Sequence, residues 1–146
     1  MTRALLGVLL LGAAAAAHGQ VEARAAWVRG TVLGQTTAGA YMELTSARRA
    51  SLLGAESPAA GSAEIHEMRM EGNVMRMRAV ARLDLPPGKT VELKPGGDHM
   101  MLVELKRPLK KGDLVPIRLK VELSDKTIKT IQVLAEVREL AATSRP

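Results

Sequence analysis

Between Leu114 and Leu123 the chain alternates strictly. Val115, Ile117, Leu119, Val121 and Leu123 are apolar, and Arg118, Lys120 and Glu122 stand between them. A period of two sends one set to each face of an extended chain, so this segment is a half-buried strand and not a helix. Pro116 lacks an N–H, which predicts an edge position or a bulge near the start of that strand. The rest of the sequence is punctuated in the same style. Short β-prone runs at 21–28, 39–45, 51–56, 63–70, 74–80, 90–93, His99–Leu105 and 127–137 are divided by turn signals. Ser57-Pro58, Glu71-Gly72-Asn73, Pro86-Pro87-Gly88-Lys89, Pro95-Gly96-Gly97-Asp98 and Ser124-Asp125-Lys126 each mark a reversal or break. Residues 47–50 are compatible with one helical turn or with a bulge. No helical period runs through the segments beyond residue 19. Seven to nine short strands at such spacing predict an all-β, Greek-key β-sandwich.

The first nineteen residues read as an export signal. Arg3 supplies a positive start, an apolar run follows to about Ala17, and Ala17-His18-Gly19 offers small residues for cleavage before Gln20. That run is shorter than the roughly 20 residues a bilayer span needs. The expected organisation is a signal over 1–19, one β-sandwich domain over 20–140 and a flexible tail over 141–146. The exported domain, expected in the periplasm, would be soluble or peripherally attached to a membrane, and monomeric.

Composition removes several functions. Without cysteine there is no disulfide scaffold, thiolate metal site or thiol redox chemistry. The net charge of +6 falls to +5 once Arg3 leaves with the signal, but basic residues are interleaved with acids. With one Trp, one Tyr and no Phe, little is available for stacking on bases, so nucleic acid is not an expected partner. The core must be aliphatic. No nucleophile–histidine arrangement or phosphate loop is present, and the domain is not expected to be an enzyme.

Chemistry concentrates in four residues, His66, Met77, His99 and Met101, spaced H-x10-M-x21-H-x-M. Strand alternation places His66, Met68 and Met70 on one side, and Met75 and Met77 together on the next strand. A turn at Glu71-Gly72 would oppose His66 to Met77; a turn at Gly72-Asn73 would oppose Met68 to Met77 and make His66 the diagonal neighbour. Either leaves His66 and Met77 on one face. His99 and Met101, two apart, share a face near the rim, with Met100 turned to the core. Two imidazoles and two thioethers suit Cu(I). Zinc rarely takes thioether, calcium and magnesium need oxygen cages, and blue copper needs a cysteine. Weak Cu(II) binding would recruit Glu64, Glu67 or Asp98. The competing reading makes the methionines packing material. Met68, Met70 and Met75 form a second soft surface on one view and mere sheet cover on the other.

The runs EIHEMRMEGNVMRMR (64–78) and LKPGGDHMMLVELKRPLKKGD (93–113), with AWVR (26–29) and AGAYMELT (38–45), resemble the periplasmic copper chaperone family called PCuAC. The resemblance spans roughly residues 21–123. It implies a cupredoxin-like β-sandwich, one Cu(I) held by His66, Met77, His99 and Met101, and delivery to the dinuclear copper site of cytochrome c oxidase. Partners would be a copper-accepting oxidase subunit or another copper-transfer protein. Gly30-Thr31-Val32 and Ser46 depart from the family's usual residues, away from the motif. A copper tolerance or storage protein, or a structural secreted β domain with a Met-rich core, are the other readings.

Overall fold

The computed structural model describes residues 20–139, and these form ten strands with no helix among them. The proposed export signal and the final tail lie outside the described residues. In chain order the strands are β1 (Val21–Arg29), β2 (Thr37–Ser46), β3 (Ala50–Glu56), β4 (Ala60–Glu71) and β5 (Val74–Val80). They continue with β6 (Leu83–Leu85), β7 (Val91–Leu93), β8 (His99–Leu105), β9 (Leu114–Leu123) and β10 (Ile128–Arg138).

Hydrogen-bonded neighbours run β5-β4-β8-β2-β1-β10-β9-β3-β6, with β7 added beside β2. A single further pairing, Ala55 with Ala63, joins β3 to β4 and closes the sheet into a barrel-like sandwich. This is the cupredoxin-like, all-β architecture expected. All strand neighbours are antiparallel except β1 and β10, whose residues Trp27 to Arg29 lie beside Glu136 to Arg138 in parallel.

The alternation on β9 works as predicted. Val115, Ile117, Leu119 and Val121 have no exposed surface and Leu123 has little. They pack with Val28, Leu44, Leu52, Met100, Leu102 and Val137 in one aliphatic core. Fully burying one such side chain contributes about 1.5–3 kcal/mol, so the absence of phenylalanine is offset by number. Pro116 lies before the stretch in which β3 accompanies β9, which begins at Arg118, so β9 has only β10 beside it there. That local edge tolerates the missing N–H, and the Pro116 carbonyl accepts a hydrogen bond from Ser57 Oγ at 2.7 Å.

Two elements were less legible. Residues 47–49 are a plain bend between β2 and β3, neither helical turn nor bulge, held by a hydrogen bond from Ala47 N to Gln20 O at 2.9 Å. The short β6 follows β5 after only Ala81-Arg82, with no turn signal to separate the two strands. A bulge does occur in β1, where the register on β2 shifts between Arg24 and Trp27 and Ala25 takes φ 51°. It swings Trp27 opposite Tyr41.

Ile117→Ala would leave a cavity in the β9 layer, away from the histidines. Chemical denaturation should show a loss of about 2–5 kcal/mol with an unchanged far-ultraviolet spectrum in the folded state.

Candidate metal centre

The β4–β5 hairpin turns at Gly72-Asn73. Gly72 has φ 63°, the left-handed region glycine adopts freely, and Glu71 pairs with Val74 across the turn. This is the second of the two registers open to the sequence. Met68 opposes Met77, Met70 opposes Met75, and His66 opposes Ala79. Met77 is therefore the diagonal neighbour of His66, on the same face.

On its other side β4 pairs with β8, and the register sets His66 directly opposite His99. Their rings meet edge to face with centroids 5.3 Å apart. Ile65 and Met100, the adjacent pair, are buried in the core. The histidines therefore stand on the opposite face of the sheet. Met101 opposes Glu64, two positions from His66 in the direction away from Met77. The four residues share one face, with Met101 and Met77 flanking the imidazole pair from opposite directions along β4. His99 is the first residue of β8, where the chain leaves the turn closed by Lys94 N to Asp98 O.

Both imidazoles are oriented by neighbours. His99 Nδ1 lies 2.9 Å from the Gly97 carbonyl. A carbonyl can only accept, so Nδ1 carries the proton and Nε2 holds the lone pair of the neutral ring. His66 Nε2 lies 2.8 Å from Glu64 Oε2. The carboxylate likewise accepts a hydrogen bond from Nε2–H, which leaves the lone pair of the neutral ring on Nδ1. That Nδ1 is buried and has no hydrogen-bond partner. A buried nitrogen lone pair without a donor is chemically suited to accept a cation. His99 is 8% exposed and the His66 side chain 12%, so the pair is largely dry.

Of the carboxylates considered for Cu(II), only Glu64 stands beside the imidazoles. Glu67 is on the other face of the hairpin, bonded by Arg69 at 2.8 Å and Arg78 at 3.5 Å. The hydrogen bond from Arg69, aided by the charge of both arginines, holds its carboxyl below the usual range. Asp98 Oδ1 accepts from Met68 N at 2.9 Å and so ties the hairpin to the turn before β8. Among the described residues no three His, Asp or Glu side chains gather as a hard-metal site would require.

Sequence reasoning missed a row of rings. Trp27 packs on Tyr41 at 4.5 Å, Tyr41 lies 6.4 Å from His99, and His99 meets His66. The row crosses four strands, so it required cross-strand registers that no local pattern gives. Tyr41 also lies over Gly39, where any Cβ would collide with its ring. Gly39 is the cross-strand partner of Met101, so this glycine keeps the space beside Met101 for the phenol. Burial raises the Tyr41 pKa, and the Arg29 charge only partly counters it.

The family model described as "Putative lipoprotein LpqE-like" matches residues 21–133. A relative from Leifsonia xyli subsp. xyli, "Putative lipoprotein Lxx21020", is 35% identical over 101 residues, which is 68% of this chain and 61% of the relative's length. Solution structures of DR1885 from Deinococcus radiodurans are similar. Its Cu(I) form is 35% identical over 78% of this chain and 75% of that one, with a TM-score of 0.62. Its apo form is 32% identical over 96% and 93%, also at 0.62. The apo PCuAC domain of PmoF1 covers 84% of this chain and 96% of its own at a TM-score of 0.69; at 22% identity it speaks for the fold alone. An all-β shell with a largely buried imidazole pair on the outer side of its sheet is the class these observations define. The chain belongs to the LpqE-like family, which is related to the PCuAC domains.

Tyr41 is the only tyrosine, so its phenolate can be titrated by ultraviolet absorbance. The midpoint should lie above the usual value of about 10. The unfolded chain releases this proton first as the pH rises. Stability is therefore intact below about pH 10 and declines as the pH climbs between the unfolded and folded values.

Proposed function

We propose that the domain is an exported, periplasmic Cu(I) chaperone that carries one ion on His66, Met77, His99 and Met101. The observation that carries this reading is the His66–His99 pair. Both rings have one nitrogen proton committed to an oxygen, and the remaining lone pair of His66 is buried without a partner. Thioethers at Met77 and Met101, on the same face, complete a soft donor set that favours the monovalent ion. Support also comes from relatives. The DR1885 structure at 35% identity is a Cu(I) form.

A packing role for the methionines is disfavoured by exposure. Of the six between Met68 and Met101, only Met100 is fully buried, while Met70, Met75 and Met77 are more than half exposed. Copper is cargo here. The chain's part is to present nitrogen and sulfur donors on one face of the sheet, where an incoming partner with stronger ligands can displace them one at a time. The acceptor we favour is the dinuclear copper site of cytochrome c oxidase, reached directly on an oxidase subunit or through another copper-transfer protein. No catalytic step is assigned to the domain.

Competition against a Cu(I) chelator tests the ligands. Glu64→Ala, which frees the His66 ring, should weaken Cu(I) by about 10–100-fold. Met77→Leu and His99→Ala should weaken it at least as much, and circular dichroism should show the same β fold. Unchanged affinity in all three would reject the site. Mixing the loaded domain with a copper-free oxidase fragment separates delivery from storage: transfer of the metal supports delivery, and retention makes this a storage protein.

A further inference from the structure

The β4–β5 hairpin continues beyond the imidazole pair, and its two faces differ completely. One face carries Glu67, Arg69, Glu71, Arg76 and Arg78, linked by ion pairs from Arg69 to Glu67 at 2.8 Å, Arg78 to Glu67 at 3.5 Å and Arg76 to Glu71 at 3.0 Å. The other carries four thioethers in two rungs, Met70 opposite Met75 and Met68 opposite Met77. The next rung on that face is His66 opposite Ala79. Every arginine of the hairpin falls on the ionic face, so no guanidinium stands among the sulfurs.

These methionines do not cover a core. Met70 is 64% exposed and Met75 51%. Leaving flexible apolar side chains in water has no packing benefit, and a strand surface there would ordinarily carry threonine or charge. The paired geometry has a chemical use. Directly opposed residues have Cβ atoms about 4.5–5.5 Å apart, and methionine's rotatable side chain lets two sulfurs turn toward one ion. Successive rungs on one face lie about 7 Å apart, within reach of a third thioether. Asp98, bonded to Met68 N, holds the base of the array against β8.

We infer that the outer rung, Met70 and Met75 with Met68 as the third donor, is a second soft-metal site. It takes a monovalent thiophilic cation, Cu(I) or Ag(I), by thioethers alone. The inference rests on the proposed function in one respect, that Met77 is engaged with the imidazole pair. Thioethers alone bind more weakly than thioether with imidazole, so an ion held at the outer rung moves inward by ligand exchange, with no change in its oxidation state. The outer rung is then the place where the ion is first captured.

Silver(I), which does not cycle its redox state, is the probe. Calorimetric titration of the intact domain, with native mass spectrometry for stoichiometry, should give two equivalents in wild type. It should give one in Met70→Leu/Met75→Leu, whose leucines keep the apolar bulk on an exposed surface. The His66→Ala/His99→Ala variant should retain only the equivalent that depends on Met70 and Met75. With labelled methionine methyls, the resonances of Met70 and Met75 should move with the weaker equivalent. Binding of one ion in wild type, lost in the histidine variant, would overturn the second site and leave the proposed function standing. One ion lost in the methionine variant instead would keep the thioether site and reject the imidazole site. Two ions in the methionine variant would place the second elsewhere and overturn the inference, and none in wild type would overturn both readings.

Discussion

The register between β4 and β8 governs everything on the outer face. It sets Ile65 against Met100 inside and, one residue along, His66 against His99 outside. A slip of β4 by one residue against β8 would turn His66 into the aliphatic interior and expose Ile65, and would leave His99 outside without its partner. Burying the core side chains contributes about 1.5–3 kcal/mol each, so the slipped register loses on both faces. The polar site is thus positioned by hydrophobic burial on the far side of the same strands, and no attraction between the histidines is needed. The neighbouring pairs repeat the arrangement, with Leu102 opposite Ala63 and Met101 opposite Glu64.

Orientation is a separate matter from position. A surface imidazole would ordinarily sample rotamers and both tautomers. Here the Gly97 carbonyl holds one ring and the Glu64 carboxylate the other, each two residues from its histidine. An i, i+2 neighbour on a strand shares its face, so Glu64 is a natural partner for His66. Gly97 lies in the turn, which brings its carbonyl back toward His99. The cost is a buried, unpaired Nδ1 on His66, on the order of 1–3 kcal/mol for a group with no donor. The core is ample enough to carry that cost, and a cation would remove it.

Much of this was legible in the sequence, and what was not has a physical cause. Parity within a strand needs only the alternation of neighbours, so β9 and its core face, the inward turn of Met100 and the shared face of His66, Met68 and Met70 could all be read directly. Pairing between strands needs information the local pattern does not hold. Glu71-Gly72-Asn73 allowed two hairpins, and the choice fell to the one with glycine at the first turn position. That choice moved Met77 from opposite His66 to diagonal. The apposition of His66 and His99 joins residues thirty-three positions apart, and only the closed sheet fixes it. The row from Trp27 through Tyr41 depended further on a bulge in β1, where no glycine or proline announced a break.

Exposure along the hairpin face rises as donor strength falls. The imidazole pair is nearly dry, with His99 8% exposed, while Met70 at the far rung is 64% exposed. Desolvation strengthens every charge–dipole interaction made by a cation, so a cation at the proposed inner position would gain from its surroundings as well as from the nitrogens. The outer thioethers would gain neither, which on the inferred reading keeps them exchangeable. A carrier that held its ion equally well everywhere would have no direction, and one that buried all its donors could not be reached by an acceptor. Under the proposed function the amphipathic hairpin would meet both needs with one device. Its arginines are tied to glutamates on one face, and the opposite face leads uncharged from solvent to the two histidines.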